Sequence, residues 1–132
     1  MPTRQEFTVA GLAPPISHYC DAVRFGDLLF ISGLVGVDAQ GKLVGEGDAA
    51  RQTRQIFENM RKVLDAAGAG FGDVLKVTVF LKNIEDRARI NPVRQEFFGS
   101  ARPASTLVEI SRLVRCDLLV EIEAVVGLPG QQ

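Results

Sequence analysis

Seven residues of one segment recur at helical spacing. Thr53, Ile56, Phe57, Met60, Val63, Leu64 and Ala67 follow an i, i+3, i+4, i+7 pattern, which gathers them on one side of an α-helix. Arg54, Glu58, Arg61, Lys62 and Asp65 fall largely on the other side. Asp48 suits the N-cap and Gly68 the exit. A second helix is predicted within 85–98, with Ile90, Val93 and Phe97 on its buried side and Gly99 as its stop. Pro92 lacks a backbone donor, so this helix either begins there, capped by Asn91, or bends there.

The rest of the chain has strand character. Short strands are predicted at 5–9 and 22–25. The nearly continuous apolar run 28–37 reads as a strand covered on both faces. Residues 73–82 alternate, with Leu75, Val77, Val79 and Leu81 opposite Lys76, Thr78, Phe80 and Lys82. Strands at 104–111 and 118–126 close the order ββ(β)αβαββ. With no linker or repeat, residues 1–132 make a single domain. Two amphipathic helices cover one face of such a sheet. The other face is left apolar, beyond the few hundred Å² that soluble monomers usually expose. Further copies of the same chain in a closed assembly are the economical cover.

Charge and cysteines narrow the function. Fifteen basic residues balance sixteen acidic ones, for a net charge of −1. There is no basic run, so neither nucleic-acid binding nor RNA cleavage is expected. No apolar run reaches the ~20 residues of a membrane helix. The first fifteen residues lack the apolar core of a signal peptide. Cys20 and Cys116 are far apart, and His18 is the one histidine. No metal site is expected, and the chain reads as a reduced cytoplasmic protein. Neither a phosphate-binding glycine loop nor a nucleophile elbow is present. The paired carboxylates Glu121 and Glu123 stand out within LLVEIEAVV (118–126). On a strand they share a face. They read either as a solvated pair or as a cleft acid that positions water. Tyr19, Ser32, Ser105 and Thr106 are hydroxyls that could converge with such an acid.

Five stretches, in this order and spacing, resemble one family. They are ISHYCDAVRFGDLLFISG (16–33), NMRKVLDAAGAGFGDVLKVTVFLKNIED (59–86), INPVRQEFF (90–98), RPASTLVEI (102–110) and LLVEIEAVV (118–126). Together they are similar to the RidA/YjgF family over almost the whole chain. The resemblance implies an α+β, chorismate-mutase-like mixed sheet with two helices on one face. It implies a homotrimer around a central barrel, with sites in clefts between subunits. The family's best-known members hydrolyse reactive imines and enamines to a 2-keto acid and ammonia, without metal or cofactor. By position, Tyr19 matches the cleft tyrosine, Ser32 and Gly33 the SG pair, and Asn91 an asparagine near the cleft. Glu121 matches the carboxylate that holds water, and Glu123 its structural neighbour.

One departure bears on substrate. Where the family pattern is P-A-R-[ST], this chain has PAST, so Ser105 stands in the arginine position. Leu107 stands where many members have cysteine, and Leu34 where glutamine often follows SG. A serine cannot neutralise a carboxylate, and each lost charge-assisted bond is worth about 1.5–3 kcal/mol. Weak handling of 2-aminoacrylate is therefore expected unless another cation substitutes, with Arg102 and Arg24 as candidates. The expected function is a small-molecule imine or enamine hydrolase of non-standard specificity. Catalysis falls to Glu121, and Tyr19, Ser32, Gly33, Asn91, Ser105 and Leu107 line the substrate site. The alternative is a non-catalytic binder of a small metabolite.

Overall fold

A computed structural model describes residues 2–130. Its strands are β1 (Arg4–Phe7), β2 (Ala22–Phe25), β3 (Leu28–Val35), β4 (Val74–Leu81), β5 (Ala104–Glu109) and β6 (Val120–Gly127). The helices are α1 (Ala49–Ala66) and α2 (Arg87–Phe98). All strands join one sheet in the order β1-β2-β3-β6-β4-β5. Only the β4–β5 pair is parallel. β6 threads antiparallel between β3 and β4, so α1 and α2 are both crossovers between strands running the same way. The α+β class, with two helices and a mixed sheet, is as expected from sequence.

α1 carries the predicted apolar face. Ile56, Phe57, Met60, Val63 and Leu64 are buried, and the Asp48 side chain accepts from the Arg51 N–H at 3.0 Å as N-cap. Three polar residues, Gln52, Thr53 and Asn59, share that buried face, and two of them bond to the backbone at strand ends. Gln52, fully buried, donates to the carbonyls of Gly45 (3.0 Å) and Asp117 (3.2 Å) and accepts from Leu119 N–H (2.8 Å). Asn59 donates to the carbonyls of Val35 (3.3 Å) and Val37 (3.0 Å). These bonds explain two strand limits. β6 begins at Val120, not 118, because the backbone just before it is engaged by Gln52. β3 ends at Val35, not 37, because Asn59 takes carbonyls at its end. The sheet lies so close to α1 here that a Cβ on Gly36 would meet the Gln52 backbone at 2.9 Å.

α2 begins at Arg87, so Pro92 lies inside it and is not its start. Pro92 is exposed, so the carbonyl it leaves unbonded at Ala88 meets solvent. Ile90, Val93 and Phe98 are buried. Phe97, predicted to be buried, is half-buried and lies 5.3 Å from Phe57 between ring centroids, with Arg61 over its face. Phe57, Phe71, Phe97 and Phe98 form one aromatic cluster, mostly edge-to-face. Each such pair contributes about 0.5–1.5 kcal/mol beyond its buried area. The cluster clamps α2 to α1.

The β4 alternation holds except at Leu75. A register shift between Val74 and Lys76 turns Leu75 to the open face, where it packs over Gly127. That face also carries Phe25 (52% exposed), Leu28, Phe30 (46%) and Val108, with Leu75 itself 52% exposed. The uncovered apolar surface anticipated from sequence is therefore present on the protomer. Gln52→Leu should leave the Leu119 N–H and the Gly45 and Asp117 carbonyls without their partner. The expected cost is about 1–3 kcal/mol for each group that finds no water, measured as a lower urea midpoint at unchanged slope.

Candidate functional site

Glu121 lies on β6 opposite Val35 of β3 and Phe80 of β4. It shares the open face with Glu123, two residues on. Between Ile31 and Leu34 the β3–β6 register slips, leaving Ser32 and Gly33 out of the regular ladder. The slip makes room for the carboxylate. A Cβ built on Gly33 would lie 2.1 Å from Glu121 Oε2 and 2.9 Å from its Cδ. The glycine leaves the space that the carboxylate end of Glu121 occupies; any side chain there would push that flexible end aside. Glu121 is half-buried. Burial, and then the like charge of Glu123, raise its pKa above the ordinary carboxylate value.

Ser32 is held by two bonds to the segment before β2. Its N–H donates to the Asp21 carbonyl (3.0 Å) and its hydroxyl to the Cys20 carbonyl (2.6 Å). The hydroxyl proton is therefore committed, and toward a ligand Ser32 is an acceptor. The buried Asp21 secures the same segment: its Oδ2 accepts from Val9 N–H at 2.7 Å, and its N–H donates to Phe7 O. This bond takes the Val9 amide and accounts for β1 ending at Phe7, not 9. Tyr19 sits on this tied loop, 47% exposed, its hydroxyl accepting from Ile16 N–H at 3.3 Å. Tyr19, Ser32 and Gly33 line one mostly apolar cavity of about 130 Å³ with Ile16, Leu34 and Val114. Glu121 lies against Gly33 but does not line this cavity.

The other expected residues lie elsewhere. Ser105 pairs with Val77, which pairs in turn with the buried Ala124. Ser105 therefore points to the helix side of edge strand β5, the face opposite Glu121. There it meets α2 in a groove of about 400 Å³ lined by Asn91, Arg94, Gln95, Arg102 and others. Arg94 donates to the Ser105 hydroxyl at 2.9 Å. Sequence reading did not single out Arg94. The signal was its spacing of three from Asn91, which puts both on one helix face. Of the two cations it did name, Arg102 lines this groove, whereas Arg24 donates to the Gly26 carbonyl at the β2 turn. Leu107 packs at the margin of the core and lines neither cavity. Within one protomer, Tyr19, Ser32 and Gly33 line one cavity, Glu121 approaches only Gly33 of that set, and Asn91 and Ser105 share a separate groove. Among the described residues no group of three or more His, Cys, Asp or Glu side chains could hold a metal ion.

Residues 10–127 match the sequence profile of the Endoribonuclease L-PSP family. The chain belongs to this family, the RidA/YjgF family. It is 45% identical over 111 residues to a RutC family protein of Pyrococcus horikoshii, covering 84% of this chain and 87% of that one. It is 38% identical over 116 residues to the 2-iminobutanoate/2-iminopropanoate deaminase of Dermatophagoides farinae, covering 87% and 90%. Among solved structures, a Rid-family protein of Yersinia pestis superposes with a TM-score of 0.90 at 30% identity, over 96% of this chain and all of that one.

Gly33→Ala tests the close approach. The new methyl would collide with the flexible end of Glu121, so the carboxylate should swing toward solvent with little loss of stability. Its titration, followed by NMR at the side-chain carboxyl carbon, should drop toward the ordinary glutamate range.

Proposed function

We propose that this chain hydrolyses a small imine or enamine to a carbonyl compound and ammonia, in clefts formed between copies of itself. The observation that carries this reading is the Glu121 carboxylate, half-buried against Gly33 beside a serine whose proton is already committed. A raised carboxylate pKa makes a stronger base once ionised. Glu121 accepts a proton from water as the water oxygen bonds to the carbon of the protonated imine, whose C=N electron pair returns to nitrogen and gives an amino alcohol. Glu121 then passes that proton to the nitrogen, the C–N bond breaks with its electron pair leaving on ammonia, and the C=O bond forms as the hydroxyl proton returns to Glu121. Ser32, as an acceptor, suits an N–H of the imine. An enamine would first take a proton at carbon to give the imine.

Several relatives support the reaction class. The Dermatophagoides protein carries the name of an imine deaminase, and so does a Salmonella typhimurium relative, 37% identical over 113 residues. The cleft location is supported by the placement of Glu121 and Ser105 on opposite sheet faces, and by the open apolar face that further copies would cover. The family resemblance supports a trimer as that assembly.

The test is ammonia release from a panel of freshly generated imines, charged and neutral. Glu121→Gln should lower kcat/KM by about 10²–10⁴-fold. The acid limb of the wild-type profile should lie above the ordinary carboxylate range, because protonated Glu121 is inactive and its pKa is raised. Glu123→Gln, which removes the like charge, should move that limb to lower pH. Tight binding of these compounds or their products with no ammonia release by wild type would assign the chain as a non-catalytic binder.

A further inference from the structure

The cavity beside Tyr19 is walled by two loops. Its apolar lining comes from Leu12, Pro14, Ile16, Leu34, Val114 and Leu118. Ile16 and Val114 are the most exposed large apolar side chains among the described residues, at 69% and 66%. They sit on separate loops, one between β1 and β2 and one between β5 and β6, yet they line the same cavity. Both lie outside the strands, so the open sheet face does not account for their exposure. The polar residues of the lining are committed to the protein itself. Asn59 gives its amide protons to the Val35 and Val37 carbonyls, and its Oδ1 accepts from Gln55 at 2.9 Å. Arg115 pairs with Asp117 (2.8 Å) and donates to the Gly41 carbonyl (2.9 Å). Ser32 donates to the Cys20 carbonyl.

Asp21 also lines the cavity and accepts from Val9 N–H. Among the described residues no cation lies within ion-pair distance of it. The uncompensated charge of the lining is therefore negative, which disfavours an anion. An ammonium group would be attracted by Asp21 but would lose its hydration to apolar walls. One side-chain donor is left over, since the Tyr19 hydroxyl accepts from Ile16 N–H and keeps its own proton. The volume of about 130 Å³ is close to the ~150 Å³ of an apolar cavity that stays dry and binds benzene.

We propose that this cavity binds an uncharged apolar group of branched-alkyl to phenyl size, and that it holds the side group of the substrate. Gly33 lines the cavity and is also the residue against which the carboxylate end of Glu121 lies. A group held there is next to the acid, while the acid stays outside. Ile16, Leu34 and Val114 then set which side groups are accepted. The side-group role rests on the hydrolytic reading given above; the preference for a neutral apolar group rests on the lining alone.

The probe is benzyl alcohol, titrated against full-length protein and followed by backbone amide chemical shifts, with benzoate and benzylammonium as ions of similar size. Benzyl alcohol should bind about tenfold tighter than either ion. Val114→Asp, at an exposed position that leaves the core intact, should weaken it by about tenfold, and Val114→Leu should restore it. Glu121→Gln should keep it. In turnover, kcat/KM should rise about fourfold for each methylene added to an uncharged side group of the imine, up to isobutyl, and Val114→Asp should flatten that series. Benzyl alcohol binding no tighter than the ions, or unaffected by Val114→Asp, would overturn the proposal. So would absent binding in wild type with loss of assembly in Val114→Asp, which would assign the rim to a contact between copies. An active wild type indifferent to side-group size overturns the side-group role. If selective binding is present but no imine is hydrolysed, the hydrolytic reading falls and the apolar site stands.

Discussion

A sheet has two faces, and this chain supplies helices for one. Every strand contributes side chains to both, so burial of Val77, Val79, Ile122 and Val126 under the helices forces their alternate neighbours outward. Those neighbours include Phe80, Glu121 and Glu123, and Phe30 and Val108 of the adjoining strands share their face. One-sided coverage therefore sets two things together. It leaves an apolar surface that water disfavours, and it places the acid pair on that surface. Site and assembly become one problem, because whatever covers the open face also sets the surroundings of Glu121.

Buried polar groups do the fine positioning. Gln52 and Asn59 sit on the apolar side of α1, yet each satisfies backbone groups at strand ends. Asp21 plays the same part for the loop that carries Tyr19. Because an unmet buried donor or acceptor costs more than a made bond returns, these contacts define where strands stop and loops cross. Together with the register slip at Ser32-Gly33, they bring a hydroxyl, a glycine and a carboxylate to one end of the sheet.

The second residue group depends on the helix–helix contact. Phe57, Phe71, Phe97 and Phe98 lock α2 over the edge of the sheet. That fixes the line of Asn91 and Arg94 along β5. A chain with serine on β5 can thus still present a guanidinium at that strand from across the groove. Arg94 and Ser105 meet through one hydrogen bond that spans the space between α2 and β5.

Much of this was legible along the chain. The period of 3.6 in α1 and of 2 in β4 is local and strong, so element order, helix faces and the one uncovered face followed from residue spacing. That Glu121 and Glu123 share a face also follows from strand geometry alone. Element ends were less legible, since they depend on side chains distant in sequence, as Gln52 does for β6 and Asp21 for β1. The outward turn of Leu75 needed a register shift that no pattern of apolar residues announces. The pairing of Arg94 with Ser105 depended on how α2 lies across β5. Spacing along the chain determines which residues share an element's face. Only packing in three dimensions decides which faces meet, because those contacts join segments whose separation in sequence carries no information about their distance in space.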